Sequence, residues 1–400
     1  MKKQRVEQHI IKQSHTIHKA IDEMCFKSKN LYNYSNYIIR QSFIKDNNWI
    51  RYNDLFAQVK DSIDYREMGS NVGQATLRIL DKNWKSFFKG IKGWSKNPSK
   101  YLGRPKLPKY LNKDGRYVFV LDSNKVKLHD DRLHFAWKPF KSFNNIFKTK
   151  AQNRIIQVRF VPKPNHYVME VVYEIEVPDQ REETNRIASI DLGVSNFITI
   201  VNNFGEKPIV VKGGELKSIN QYYNKKVAAI QSELKKVNKK DWSNRLQRLT
   251  DKRYEKIKFK MHCISKWVVK WCVDNDVDVL IIGSNKKWKQ DTKHMQNFKY
   301  LPYEMFIKQV EYKCETAGVG FIRNEESYTS GTSFLDGELP TKENYDKSRR
   351  VARGLFKSTK GISINADVNG AYQILKKVFP DAFSEGIEGV GLHPMLLKFI

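Results

Sequence analysis

Residues 187–203 read IASIDLGVSNFITIVNN: an apolar run closes on a carboxylate, Asp191, turns at once through Leu192 and Gly193, and re-enters a second apolar run. A buried strand tolerates a terminal carboxylate only where the strand ends at a cleft, because burying an unpaired charge is costly. Gly193 permits the sharp turn and close backbone approach. The stretch therefore predicts a hairpin whose first strand delivers Asp191 to the edge of a cleft.

The chain beyond it alternates strands and helices. KPIVVKGG reads as a third strand, and two Lys-rich helical stretches follow from about 215 to 274. Next come a wholly apolar strand, VDVLIIG, a helix, YEMFIKQVEYKCETAG, a strand, VGFIRNEE, and after an irregular segment a last helix, DVNGAYQILKKVF. Three antiparallel strands, helix, strand, helix, strand, helix is the order of an RNase H-like α/β fold, with the first strand central and the fourth and fifth beside it. Carboxylates at strand ends and on the last helix then converge, which nominates Asp191 and Asp367.

Charge points to the partner. Lys and Arg number 72 against 43 acids, a formal +29, and so one-sided a balance calls for a polyanion. No apolar run approaches the ~20 residues of a membrane span, and the N-terminus has no secretory apolar segment. A cytoplasmic, nucleoid-associated protein is expected, with nucleic acid as the polyanion. Cys25, Cys263, Cys272 and Cys314 have no zinc-knuckle spacing, so they are read as reduced thiols and no zinc is expected. A phosphate-binding Gly-x-x-x-x-Gly-Lys loop is absent, which argues against nucleotide hydrolysis.

The first half is organised differently. Helical periodicity dominates about 21–95, and in residues 71–94 Leu77, Leu80, Trp84, Phe87, Ile91 and Trp94 form one apolar face. Arg78, Lys82, Lys85, Lys89 and Lys92 run beside it, about a hundred degrees round the axis. Residues 78–116 hold twelve Lys/Arg and only Asp81 and Asp114. Such a stripe lacks the interleaved acids of an ordinary solvated face and suits phosphates. Gln74, at its start, is a candidate reader of a short duplex motif. From 101 to 182 short alternating strands separated by Asp, Asn and Pro turns suggest a small β-barrel or sandwich. Lys286, Lys287 and Lys289, after the fourth strand, are placed to border the cleft and touch phosphates.

These residues resemble a family, the transposon-encoded TnpB nucleases and the compact type V CRISPR effectors descended from them. SKNLYNYSNYIIRQSF and GRPKLPKY are similar to its N-terminal region, IDLGVSN to its first RuvC motif and INADVNGAYQIL to its third. The resemblance implies a multidomain α+β protein: a wedge β-barrel from 1–20 and 101–182, a helical recognition domain at 21–100, and a RuvC-like nuclease domain at 183–326 and 363–400. A target-loading insert without zinc would occupy 327–362, where Arg349, Arg350 and Arg353 would help load the substrate strand. It also implies a guide RNA, transposon-derived or CRISPR-derived, one protein per guide, and double-stranded DNA cut beside a short flanking motif.

The chain departs from the pattern in one place that bears on chemistry. Where most of the family carries a second-motif glutamate at the end of the fourth strand, this chain has Gly283. Two-metal phosphodiester hydrolysis needs several oxygen ligands to hold two Mg²⁺ ions ~3.5–4 Å apart. The fifth strand ends in Glu325 and Glu326, one strand spacing of about 4.8 Å away. Glu326, nearer the turn, is taken as the relocated ligand and Glu325 as its alternate. The expected activity is an RNA-guided, Mg²⁺-dependent DNA endonuclease. Its rivals are an RNA-guided DNA binder that lost cleavage and a guide-free RNase H-like resolvase or transposase.

Overall fold

The computed structural model describes residues 1–180, 184–238, 241–285, 301–384, 386 and 391–398. Two compact units divide the chain, Lys2–Glu176 and Val177–Ile400.

The N-terminal unit is built on four helices and an open antiparallel sheet. Strand β1 (Lys2–Ile11) leads into α1 (His18–Asp46), followed by α2 (Tyr52–Val59), α3 (Ile63–Met68) and α4 (Ser70–Lys96). Strands β2 (Phe119–Asp122), β3 (Val126–His129), β4 (Arg132–Phe135), β5 (Ile155–Lys163) and β6 (His166–Glu176) complete it. On α4 Leu77, Leu80 and Trp84 are fully buried, while Arg78, Lys82, Lys85, Lys89 and Lys92 are exposed. Two polar contacts fix α4 on α1: the Ser28 and Thr76 hydroxyls meet at 3.1 Å, and Trp84 Nε1 donates to Asn36 Oδ1 at 3.0 Å.

The closed barrel expected here is not found among the described residues. The sheet order is β1-β6-β5-β2, with β3 and β4 forming a separate hairpin. One core cluster joins Phe119, Phe160 and Met169 of the sheet to Ile21 and Cys25 of α1 and Leu77 of α4. Helices already bury one face, so the sheet need not curl on itself to do so. Lys2–Ile11, which only the family resemblance joins to residues 101–182, pair with β6 from Lys2↔Glu176 to Ile11↔Tyr167.

Among the described residues, the C-terminal unit carries a six-stranded sheet. Its strands are β7 (Ile187–Leu192), β8 (Asn196–Asn202), β9 (Ile209–Lys212), β10 (Val279–Ser284), β11 (Gly320–Glu325) and β14 (Met395–Leu397). Helices α5 (Gly214–Asn238), α6 (Asn244–Asp274), α7 (Tyr303–Ala317) and α8 (Ala366–Val378) flank it, and β12 (Leu355–Lys357) and β13 (Ser363–Asn365) form a small ribbon. The order β11-β10-β7-β8-β9-β14 makes β7 central. β8 is antiparallel to it and β10 parallel, with β11 parallel beyond β10.

Alternation along β7 decides what each face carries. Ala188, Ile190 and Leu192 join the core formed with α6 and α7, while Ile187 packs with Ile374 and Leu375 of α8. Ser189 and Asp191 share the α8 face by the two-residue period. There the Ser189 hydroxyl donates to the Ala371 carbonyl at 2.7 Å.

One ion pair of the N-terminal unit makes its stability pH-dependent. Arg116 donates to both oxygens of Asp22, at 2.9 and 2.8 Å, and the Tyr167 hydroxyl donates at 2.6 Å. The Arg116 bonds, opposed by partial burial and assisted by Tyr167, hold the Asp22 carboxyl below its usual range. A depressed carboxylate stabilises fully above its unfolded pKa of ~3.9 and loses that contribution as pH falls through the folded value. Asp22→Asn should therefore lower the denaturation midpoint at neutral pH, and the gap to the unmutated protein should close in acid. Urea titrations across that range measure it.

Candidate active site

The hairpin that opens the C-terminal unit is tight. Gly193 donates its N–H to Phe197 O at 3.1 Å, and a Cβ on Gly193 would overlap the Asn196 carbonyl. This turn presents Asp191 to a cleft of about 1500 Å³ that Glu326 and Asp367 also line.

Helix α8 brings the second carboxylate. Its N-cap is Asn365, whose side chain accepts from the N–H groups of Asp367 and Val368 at 3.0 and 3.2 Å. Asp367 is thus released from capping and projects from the first turn. Gly370 follows three residues later on the same helix face. A Cβ there would stand 3.2 Å from Asp191 Oδ2, so glycine allows the helix to close on the aspartate.

The third carboxylate arrives from β11. The parallel register pairs Gly283 with Asn324 and Ser284 with Glu325. Glu326, two residues beyond Asn324, falls on the Gly283 side by the pleat. A Cβ built on Gly283 would lie 3.2 Å from Glu326 Oε2 and collide with the Cδ1 of buried Ile374. Glu326 and Ile374 between them take up the space a side chain at 283 would need. Glu325 is exposed and turns elsewhere: it accepts from the Ser327 N–H and hydroxyl and pairs with Lys377 at 3.4 Å. Partial burial raises its carboxyl, but those partners outweigh it and hold it below the usual range.

Negative charge gathers where solvent is scarce. Burial foremost, then Glu326 and Asp367, push the Asp191 carboxyl well above its usual range, against the pull of Arg350 and the Leu192 N–H. Its own burial first, then Asp191 and Glu326, raise the Tyr303 hydroxyl, which donates to Gly193 O at 3.0 Å. Three carboxylates on one cleft suit a hard divalent cation. Among the described residues, no three acid, His or Cys side chains stand close enough to chelate one ion. Asp367 is held instead by Arg350 Nη2 at 3.3 Å and Asn196 Nδ2 at 2.6 Å. The donor chemistry fits, and Asp367 would join a metal by exchanging Arg350 for it.

The arginines of 349–353 separate into different roles. Arg349 is half-buried and donates to both oxygens of Glu338 at 2.8 Å, with Asp336 and Asp346 nearby, so it holds its own segment together. Arg350 and Arg353 line the cleft. Arg353 Nη2 and Lys217 Nζ both donate to Ser195 Oγ, at 2.6 and 2.7 Å, and Lys212 Nζ donates to Asn196 Oδ1 at 2.9 Å. Burial first, then Arg353 and Lys212, lower the Lys217 ammonium. Lys212 and Lys217 were not singled out in sequence, and only their closeness to the Asp191 turn marks them. Lys286, Lys287 and Lys289 lie outside the described residues. In the N-terminal unit Lys85 pairs with Asp81 at 2.6 Å, and Gln74 is engaged by Ser70 and Arg78.

Known proteins match along most of the chain. Residues 170–289 match the OrfB_IS605 family, a probable transposase, and residues 303–374 match the Cas12f1-like TNB domain. The TnpB-like protein ORF457 of Acidianus two-tailed virus is 22% identical over 385 residues, 88% of this chain and 81% of that protein. The CRISPR-associated endodeoxyribonuclease Cas12f1 of Sulfoacidibacillus thermotolerans is 21% identical over 242 residues, 58% of this chain and 55% of that one. The fold is similar to that of Cas12f1 in a cryo-EM complex with sgRNA and target DNA, with TM-score 0.57 and 14% identity over 90% of this chain and 82% of that one.

Gly370 offers a test that separates the site from the fold. Ala is the better helix former by up to ~1 kcal/mol, while its Cβ crowds Asp191. Gly370→Ala should keep the melting temperature near that of the unmutated protein and weaken Mg²⁺ or Mn²⁺ binding roughly tenfold or more, read by calorimetric titration. Unaltered cation affinity would remove Gly370 from the site.

Proposed function

The chain belongs to the family of TnpB-like proteins and compact Cas12f-type CRISPR effectors, and we propose that it is an RNA-guided, Mg²⁺-dependent DNA endonuclease. One observation carries the reading: Asp191, Glu326 and Asp367, from three separate elements, line one cleft whose rim holds Lys212, Lys217, Arg350 and Arg353. Carboxylates below and cations above are what a phosphodiester needs, one set to hold metal and the other to seat the strand.

Asp191, Glu326 and Asp367 would hold two Mg²⁺ ions. When bound, these ions supply a hydroxide at neutral pH and charge for the leaving oxygen. The chain's own part is positional. Gly193 and Gly370 let the strand end and the helix approach. Asn365 frees Asp367 by capping α8 in its place. Lys212, Lys217 and Arg353 draw the sugar-phosphate backbone across the carboxylates. Guide pairing would read the target sequence, and the N-terminal unit, with Gln74 and the α4 stripe, would read the flanking motif. Residues 1–20 with 101–182 are assigned as the wedge, 21–100 as the recognition domain, 183–326 with 363–400 as the RuvC-like domain, and 327–362 as the target-loading insert.

The purified protein should carry a discrete RNA of at least roughly a hundred nucleotides that neutralises its basic surface. Random fragments alone would end the guided reading. Neutralising Lys82 and Lys89 should lower the salt dependence of nucleic-acid binding by about one unit of slope per phosphate contact.

Asp191→Ala, Glu326→Ala and Asp367→Ala should each abolish cleavage and leave guided binding near the unmutated level, while Glu325→Ala costs little. Restoring a glutamate at 283 in the Glu326→Ala background requires room, so Gly283→Glu should recover activity better when Ile374→Val removes the colliding Cδ1. A guide-loaded protein that binds its target with Mg²⁺ and never cuts would instead be a nuclease-dead DNA binder.

A further inference from the structure

A second concave site lies in the N-terminal unit, beyond the stripe and unrelated to the carboxylates. After α4 the chain returns as a strap, residues 104–111, across α1 and α4. Its backbone is held by α1 side chains one turn apart. Asn33 Nδ2 donates to Leu111 O at 2.9 Å and its Oδ1 accepts from the Leu111 N–H at 2.8 Å. Asn36 Nδ2 and Arg40 Nη1 donate to Pro108 O at 3.1 and 2.8 Å. On the other side a Cβ at Gly90 would meet Pro105 Cγ at 3.4 Å, so the strap rests closely on α4.

Between strap and helices remains a groove of about 570 Å³. Half-buried Phe43, Phe87, Phe88 and Ile91 line it from the helices. Its other lining residues include Arg40, Arg104, Lys106 and Lys109, and no carboxylate is among them. The Arg40 guanidinium lies over the Tyr110 ring at 5.0 Å and that of Arg104 over Trp94 at 5.7 Å.

An apolar helix could use the floor but would leave four cations unmatched. A duplex could match the cations but keeps its bases stacked away from the floor. An unpaired nucleotide offers both a flat π-face and an anion on one short unit, and repeats them along the strand. We propose that this groove seats an unstacked base of a single-stranded nucleic acid on Phe87 and Phe88, with the strap cations on the adjoining phosphates. The proposal rests on nucleic-acid binding by the chain and is independent of cleavage.

The test uses the full chain and two fluorescein-labelled probes, an oligothymidylate of about 15 nucleotides and an abasic oligomer of equal length and charge. The unmutated protein should bind the oligothymidylate about fivefold or more tightly than the abasic probe, the worth of about one stacked base. Phe87→Leu, which keeps an apolar side chain, should erase that preference, and Phe87→Tyr should retain it. Arg104→Gln with Lys106→Gln, both at exposed positions, should weaken both probes and flatten their salt dependence. A preference that survives Phe87→Leu, or its absence in the unmutated protein, overturns the base site and leaves the proposed nuclease standing. Failure to bind either probe overturns both. If sedimentation shows a dimer that Phe87→Leu dissociates, the groove belongs to a second copy of the chain and the proposal falls.

Discussion

The approach of α8 to β7 is the contact on which the C-terminal unit depends. A small residue on the helix, Gly370, meets a carboxylate on the strand, Asp191, and one turn of the same contact is locked by the Ser189 hydroxyl on the Ala371 carbonyl. A bulkier helix face would hold α8 away from the sheet and carry Asp367 out of the cleft. The same helix anchors the segment that precedes it. Asn369 accepts the Phe334 N–H and donates to Thr332 O, Gln373 donates to Glu338 O, and Phe334 stacks on Tyr372 at 4.4 Å. One helix therefore sets both the carboxylates and the frame of the arginines above them.

That closeness concentrates like charge, and the structure answers it with cations of two kinds. Arg350 touches Asp367 directly, while Lys212, Lys217 and Arg353 are tethered through the neutral side chains of Ser195 and Asn196. The tethered group keeps its charge available, since a hydroxyl or amide partner does not cancel it. Arg349 is the contrast: with Glu338, Asp336 and Asp346 around it, its charge is already matched and it acts as a strut. Five basic residues close in sequence or space thus differ in function through what each one faces.

How much of this was legible in sequence follows from the range of each interaction. The alternation of strands and helices after residue 187 is written in local periodicity, and the Asp191 turn in three adjacent residues. Pairings across the chain are not local. The pattern of KKQRVEQHII carries no register to 167–176, which the resemblance places only in the same domain, and the short strand Met395–Leu397, which docks parallel on β9, has no pattern of its own. The barrel expected from short strands is an open sheet among the described residues, because the helices that cover it were read separately from the strands they cover. Asp367, nominated in sequence as a converging carboxylate, stands in the first turn of α8 just after its cap, Asn365.

The choice between Glu325 and Glu326 shows what kind of knowledge was missing. Sequence gave two adjacent acids on opposite faces and no way to set the phase. The register with β10 sets it: Gly283 opposite Asn324 puts Glu326 on the face of the absent side chain and Glu325 beside Ser284, toward Lys377. Glycine at 283 and glutamate at 326 are then a single feature, since the volume one leaves is filled by the carboxylate of the other together with Ile374. A carboxylate can move between neighbouring parallel strands with its target space unchanged, because those strands are only about 4.8 Å apart. What must change with it is the packing beneath, and here that packing is the Cδ1 of Ile374.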